Sequence, residues 1–165
     1  MKQNWVFDAS PLIVLGKAEL LTTISPLASC WFIPEAVVQE VSQKSAIEPL
    51  LRQLSENAQI ERQRVESIQP LVANWDLGEG ESEAITLAME NVGYGVILDD
   101  LQARKCATVF NLPLIGSLGL IVKAKKEGLL EVAKPAFKRL IDSGLYVAPQ
   151  LIEKVLTSIG ENAGR

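Results

Sequence analysis

Short runs of apolar residues alternate along this chain with longer segments of helical periodicity. The apolar runs cover residues 5–7, 30–33, 96–98 and 114–115, and each is too short to form a helix. Between them, apolar residues recur every three or four positions, which predicts helices. Strands that alternate with helices indicate a parallel sheet covered on both faces. The pattern therefore predicts an α/β fold, a three-layer α/β/α sandwich around a central parallel sheet.

Proline and polar residues indicate where the helices begin. Ser10 is expected to be an N-cap and Pro11 the first helical residue, because the first turn leaves its N–H groups unpaired. Further helices are predicted over residues 20–24, 34–41, 47–54, 81–91, 101–110, 117–127, 131–142 and 149–159. The stretch 60–65 is either an edge strand or an exposed connection. We expect one domain over residues 1–165, with a helical extension from about 129 to 165.

The composition restricts the class of protein. Hydrophobic residues make up 48% of the chain but aromatic residues only 5%, which favours an aliphatic core. A net charge of −4 excludes a broad basic surface for nucleic acid, although a local basic rim remains possible. No secretory signal and no apolar stretch long enough for a membrane span is present. Cys30 and Cys106 lack metal-ligand spacing and are expected to be free thiols in a reducing cytoplasm.

Carboxylates stand where the predicted buried strands end. Asp8 follows the run 5–7, and Asp99 and Asp100 follow the run 96–98. In open α/β sheets ligands bind at the carboxyl ends of the strands. Several acids gathered there would repel each other unless a cation held them. Because the chain contains no histidine, the ligands would be oxygen atoms, which suit Mg²⁺ or Mn²⁺ rather than zinc.

The strand-end aspartates also have structural interpretations. Asp8 could be an ordinary turn residue, but Ser10 is the better-placed cap and could orient the Asp8 carboxylate through a hydrogen bond. One aspartate of the Asp99–Asp100 pair can cap the helix that starts near Leu101. The other would then remain at the end of a buried strand, where a charge without a partner is costly. We favour Asp100 as the functional member.

Glutamates on the intervening helices complete the candidate set. Glu81 lies on the inward stripe of its helix with Ala84 and Ile85, at the rim of the expected pocket. It is therefore preferred to Glu83 as a ligand, although acids in a first turn also stabilise the helix dipole without any other role. Glu40 lies beside the inward face of its helix and is either a ligand or a surface glutamate.

Five segments in this order resemble the PIN-domain family of metal-dependent ribonucleases, most closely the prokaryotic branch that includes toxins of toxin–antitoxin pairs. The matching segments are 6–13, 33–41, 80–85, 97–100 and 116–119. The resemblance implies a PIN-like sandwich with an acidic pocket for Mg²⁺ or Mn²⁺, and it extends over nearly the whole chain. It also implies a small antitoxin partner and a homodimer.

The resemblance assigns roles to individual residues. The family's acids fall on Asp8, then Glu40, then Glu81 or Glu83, and last Asp100. The implied metal ligands are Asp8, Glu81, Glu83 and Asp100, and the residues that would support them are Ser10, Asp99 and Ser117. Many relatives carry a further acid after the last strand, where this chain has only Ser117 as a polar candidate.

The expected activity is endoribonucleolytic hydrolysis by a metal-activated water, with that water or Glu81 as the base. Arg104 and Lys105 are either solvated helix residues or contacts for RNA phosphates. Two alternatives remain open. One is a magnesium-dependent phosphatase or phosphotransfer domain, which usually needs an acid at the position of Ser10. The other is a catalytically silent interaction domain, because residues 114–118 contain no acid.

Overall fold

A five-stranded parallel sheet forms the centre of the molecule. The computed structural model describes residues 2–161, so both ends of the predicted domain and the last part of its helical extension lie outside the described residues. The strands are β1 (Asn4–Phe7), β2 (Cys30–Pro34), β3 (Gln59–Gln63), β4 (Tyr94–Ile97) and β5 (Leu114–Ile115). Their order is β3-β2-β1-β4-β5, and every neighbouring pair is parallel. The predicted α/β fold is therefore confirmed.

Helices connect the strands and continue after the last one. They are α1 (Ala9–Lys17), α2 (Leu21–Ile24), α3 (Glu35–Lys44), α4 (Ile47–Leu54), α5 (Pro70–Ala73), α6 (Glu79–Glu90), α7 (Leu101–Val109), α8 (Ser117–Lys126), α9 (Lys134–Asp142) and α10 (Pro149–Ser158). A single 3-10 turn covers residues 25–27. Within residues 2–161, no helix combines the length and apolarity needed to cross a membrane.

Alternate strand residues pack on opposite faces of the sheet, which gives the three layers. Trp5 and Phe7 of β1 belong to a core that includes side chains of α1, α3, α8 and α9. Val6, between them, belongs to a second core with Val96 of β4 and side chains of α6 and α7. The apolar residues of β1 therefore bury both of its sides, as expected for a central strand.

The register places the ends of β1 and β4 next to each other. Phe7 pairs with Ile97, and the backbone N–H of Asp8 donates to the carbonyl of Ile97 over 3.3 Å. The residues that follow these two strands therefore emerge together at the carboxyl edge of the sheet. Asp8 and the Asp99–Asp100 pair reach this edge from different parts of the chain.

Several element boundaries differ from those that the sequence predicts. Helix α1 begins at Ala9 rather than after Ser10, because the extended backbone of Asp8 joins strand to helix directly and Asp8 occupies the N-cap position. Helix α6 begins at Glu79 rather than Glu81, and α9 at Lys134 rather than 131. The ambiguous stretch 60–65 contains part of an edge strand, β3, whose polar residues lack an alternating pattern because neither face is fully covered.

Gly95 is required where β4 passes Trp5. A Cβ atom at this position would lie 2.5 Å from Cζ3 of the Trp5 indole ring. We expect Gly95→Ala to lower the free energy of unfolding by about 1–3 kcal/mol, because the indole would have to shift in a filled core. Urea denaturation measures this, with the fully exposed Val92→Ala as the control. A Gly95→Ala protein as stable as the native chain would contradict the packing described here.

Candidate functional site

The candidate site centres on the carboxylate of Asp8. This side chain is only 4% exposed and makes no hydrogen bond as a helix cap. Burial raises its pKa from 3.8 to about 8, although the hydrogen bond from the Ala9 backbone opposes the rise. The charges of Glu81, Glu40 and Asp99 contribute to this rise. The protein alone therefore provides little stabilisation for a negative charge on this buried carboxylate.

Gly80 brings Glu40 and Asp8 to the same point. A Cβ atom on Gly80 would lie 3.2 Å from Oε1 of Glu40 and 3.3 Å from Oδ1 of Asp8. The two carboxylates therefore converge on one position beside the first turn of α6. Glu40 is half-buried, and its other oxygen is 3.8 Å from the ammonium group of Lys44, one turn later in α3. The absence of a side chain at Gly80 keeps this space open.

Glu81 lies in the first turn of α6 and faces the same region. Its Oε1 accepts a hydrogen bond from the backbone N–H of Gly78 over 3.1 Å, which fixes the carboxylate near the helix start. Burial raises the pKa of Glu81, the bond from Gly78 lowers it, and the charges of Asp100 and Glu40 raise it. We call Asp8, Glu40, Glu81, Asp99 and Asp100 the acid cluster, because these electrostatic contacts connect them.

Asp99 joins the end of β4 to the start of α8. Its Oδ1 accepts from the backbone N–H of Ser117 over 2.8 Å, and its Oδ2 accepts from the Ser117 hydroxyl over 2.6 Å. Ser117 is fully buried. Both carboxylate oxygens are thus oriented by one residue, and the charge of Asp99 still acts on Asp8. The predicted supporting residues Asp99 and Ser117 therefore contact each other.

Asp100 is the aspartate that caps the next helix. It is exposed at the N-cap of α7, and its Oδ2 accepts from the Ala103 backbone N–H over 3.0 Å. One aspartate of the pair was expected to serve as this cap, but the cap falls on the residue favoured for function. Asp100 still acts on Glu81 through its charge. Its role as a metal ligand stays a prediction.

Glu83 has different partners from Glu81. Its Oε1 accepts from the backbone N–H of Ala36 over 3.1 Å, at the first turn of α3. Burial raises the pKa of Glu83, this hydrogen bond lowers it, and the charges that raise it further are those of Glu79 and Glu35. Its contacts thus tie α6 to α3 and do not connect it with Asp8. Glu81, and not Glu83, is among the charges that act on Asp8, and the choice of Glu81 as the third acid stays a prediction.

The expectations for Ser10 need correction. Because α1 already begins at Ala9, Ser10 lies within the first turn, is exposed and is not the N-cap. Among the described contacts, its hydroxyl makes no hydrogen bond with Asp8. The structure therefore does not support Ser10 as the residue that orients this carboxylate.

The two predicted basic residues occupy different environments. Lys105 is exposed on α7. Arg104 is half-buried, and its Nη1 donates to the carbonyl oxygen of Leu98 over 2.8 Å. A Cβ atom on Gly116 would lie 2.8 Å from that Nη1 and 2.9 Å from Oδ1 of Asp99, so the guanidinium lies beside the acid cluster.

The donors near Asp8 fit a hard divalent cation. In the part of the chain that the structure describes, no group of three or more His, Cys, Asp or Glu side chains is already arranged to hold a metal ion. Mg²⁺, however, keeps several water ligands and is often bound through only one or two carboxylates. The converging oxygens of Asp8 and Glu40 beside Gly80 meet that requirement, and a cation there would offset the cost of burying Asp8.

Sequence reasoning missed two features of this region. Gly80 lies in one of the segments that resemble the family, but the sequence did not show that two acids converge beside it. A groove of about 490 Å³ is lined by Asp99 and Arg104 and also by Leu145, Tyr146 and Leu151. The glycine between two glutamates at a helix start was a possible signal for the first feature. Nothing in the sequence pattern signals the second, because its walls come from distant segments.

The parallel sheet with acids at its carboxyl edge defines an α/β domain with a candidate ligand site at that edge. A family model, DUF3368, described as a PIN domain, matches residues 4–161. The chain therefore belongs to the PIN-domain family. PIN domains are generally nucleases, and they generally bind divalent metal ions.

Comparison with solved structures agrees with this assignment at the level of the fold. A PilT N-terminus domain protein from the hyperthermophilic archaeon Sulfolobus solfataricus P2 superposes with a TM-score of 0.50 and 17% sequence identity. The alignment covers 88% of this chain and 97% of that one. A search of curated proteins found no match.

The raised pKa of Asp8 predicts how stability depends on pH in the metal-free protein. Because the pKa of the folded state lies above that of the unfolded state, the stabilisation is complete below about pH 4 and is lost as pH rises through about 8. Asp8→Asn should remove this loss and be the more stable protein at pH 9. The difference should grow by roughly 1.4 kcal/mol per pH unit between the two pKa values.

Urea denaturation in EDTA at pH 5, 7 and 9 checks this, with the exposed Asp142→Asn as the control. Native and Asp8→Asn proteins whose stabilities change in parallel with pH would contradict the assigned burial.

Substitutions in α6 should distinguish the role of Glu81 in metal binding from the role of Glu83 in stability. We expect Glu83→Ala to cost about 1 kcal/mol of stability, because the Ala36 N–H loses its acceptor, and to leave Mn²⁺ affinity unchanged. Glu81→Gln should weaken Mn²⁺ binding by roughly 10-fold. Isothermal titration and urea denaturation measure both effects. Glu90→Gln, at the exposed far end of the same helix, is the matched control. Equal losses of Mn²⁺ affinity in the Glu81 and Glu83 variants would be inconsistent with the distinction.

Proposed function

We propose that this PIN domain is a metal-dependent endoribonuclease that hydrolyses RNA phosphodiesters with Mg²⁺ or Mn²⁺. The observation that carries the proposal is the buried carboxylate of Asp8, which three other acids of the cluster surround at the carboxyl edge of the sheet. Keeping these charges together costs stability, and a structural role would not require it. A site that holds a divalent cation against a phosphate does require it.

Asp8 and Glu40 are the residues that would hold the cation, with Glu81, Asp99 and Asp100 around them. When bound, a divalent cation supplies the positive charge that polarises a scissile phosphate and favours ionisation of an attacking water. Asp99 keeps its orientation through Ser117, so its charge remains directed at this region without a conformational change.

Glu81 is the best-placed proton acceptor of the cluster. Its raised pKa makes it a stronger base than an ordinary glutamate, and the Gly78 N–H holds Oε1 in place. The chain contains no histidine that could take this role. Arg104 lies beside the cluster and would contact a phosphate oxygen of the substrate.

The biological setting belongs to the same proposal. The chain would act in the cytoplasm as the toxin of a toxin–antitoxin pair, with a small antitoxin as its inhibitor and a homodimer as its assembly. The resemblance to the toxin branch of the family supports these assignments. The free thiols Cys30 and Cys106 favour a reducing compartment.

The test is cleavage of a mixed pool of RNAs by the purified chain, with Mn²⁺ or with EDTA. We expect cleavage only with Mn²⁺, and a rate at least about 100-fold lower in Asp8→Asn. Glu81→Gln should also be impaired, whereas Glu90→Gln should keep the native rate.

Four outcomes would contradict the proposal. Cleavage that survives EDTA, or that persists undiminished in Asp8→Asn, excludes the mechanism. Phosphate release from small phosphomonoesters with intact RNA would identify a phosphatase. Mn²⁺ binding in a titration without any cleavage would identify a catalytically silent interaction domain.

A further inference from the structure

The groove beside the acid cluster has walls of different chemical character. Asp99, Arg104 and Gly116 line the side next to the cluster, and Leu145, Tyr146 and Leu151 line the side next to α10. Its volume of about 490 Å³ is in the range of small-molecule sites and is too small for a nucleic-acid duplex. Because Asp99 belongs both to the groove and to the acid cluster, the two are continuous.

Arg104 supplies an unpaired positive charge to this groove. Its Nη1 donates to a backbone carbonyl, and no carboxylate of the described residues lies within ion-pairing distance of its guanidinium. A guanidinium that is half-buried and has only a carbonyl partner retains donors for an anion. Phosphate is the anion whose geometry it matches best.

Tyr146 supplies an aromatic surface at the opposite rim. Its side chain is 95% exposed, although the adjacent Leu145 and the nearby Leu151 offer apolar surface. An exposed aromatic ring beside a cation is the combination that binds single-stranded nucleic acid, because bases stack on the ring and phosphates pair with the cation. A duplex keeps its bases stacked internally and could not use it.

We propose that this groove is a nucleotide subsite for single-stranded RNA, in which a base stacks on Tyr146 and a phosphate contacts Arg104. The inference rests on the proposed ribonuclease function and extends it by naming the residue on which a base of the substrate stacks. The lone guanidinium and the continuity with the acid cluster favour RNA over a protein occupant. Tyr146 would thus select unpaired segments and direct the following phosphate toward Asp8.

The first test measures RNA binding separately from cleavage. Fluorescence anisotropy with a labelled eight-nucleotide single-stranded RNA in EDTA reports the affinity of the full chain. We expect Tyr146→Ala to weaken binding by about 10-fold through loss of one stacked base. Tyr146→Phe should stay within about twofold of the native affinity, because the ring is kept. Val92→Ala, exposed at the opposite edge of the sheet, should have no effect.

The second test uses the salt dependence of the same binding. We expect Arg104→Gln to reduce the slope of log Kd against log salt concentration by about 0.7, the value for one phosphate contact on a single strand. Lys126→Gln is the matched control, since it removes an exposed charge near the opposite edge of the sheet. An equal change of slope in both variants would show that Arg104 contributes only to the general charge of the protein. That result would overturn the subsite.

The remaining outcomes separate this inference from the proposed function. If RNA is cleaved but Tyr146→Ala binds and cleaves it normally, the subsite is wrong and the ribonuclease remains. If Tyr146→Ala weakens RNA binding but no cleavage occurs, the subsite stands and the ribonuclease fails. A native chain that does not bind the oligonucleotide overturns the subsite. A Tyr146→Ala chain that binds RNA normally but loses a bound protein would identify a protein-docking surface instead.

Discussion

The burial of one carboxylate at the end of the central strand is the constraint on which the site depends. Strand β1 lies between β2 and β4, so Asp8 emerges in the middle of the carboxyl edge, where helices cover both faces. Water cannot solvate its charge there, and the neighbouring acids add repulsion rather than relief. With its pKa raised to about 8, this carboxyl group is protonated near neutral pH when no cation is bound. Glu81, Glu40 and Asp99 act directly on this carboxyl group through their charges, and Asp100 acts on Glu81.

A second constraint fixes the geometry on the other side of the cluster. Asp99 binds both the backbone and the hydroxyl of Ser117, which joins the end of β4 to the beginning of α8. Gly116 lets this connection pass closely under the Arg104 guanidinium, because any Cβ there would meet both charged groups. Opposite charges thus lie side by side without pairing directly. The acid side suits a cation, and the guanidinium side suits the phosphate that the cation would bind.

The sequence predicted the sheet and the positions of most acids, because short apolar runs define buried strands and the residues after them must lie at one edge. It could not predict which aspartate caps α7. Asp99 accepts a hydrogen bond from the hydroxyl of Ser117, 18 residues later in the chain, and is therefore not the cap. The different partners of Glu81 and Glu83 depend in the same way on tertiary contacts with Gly78 and Ala36. Helical spacing favours Glu81 as the inward-facing residue, but it does not reveal that Glu83 accepts a hydrogen bond from the backbone of α3.

Hydrogen bonds of Glu161 hold the C-terminal helices against the rest of the fold. Glu161 accepts hydrogen bonds from Lys125 Nζ over 2.7 Å and from the backbone N–H groups of Ala133 and Lys134 over 2.7 and 2.9 Å. These bonds tie the residue after α10 to α8 and to the start of α9, while Leu156 is buried in the core. The segment carrying Tyr146 lies between α9 and α10. The contacts of Glu161 therefore help to hold α10, and with it the side of the groove that carries Tyr146 and Leu151, against the rest of the fold.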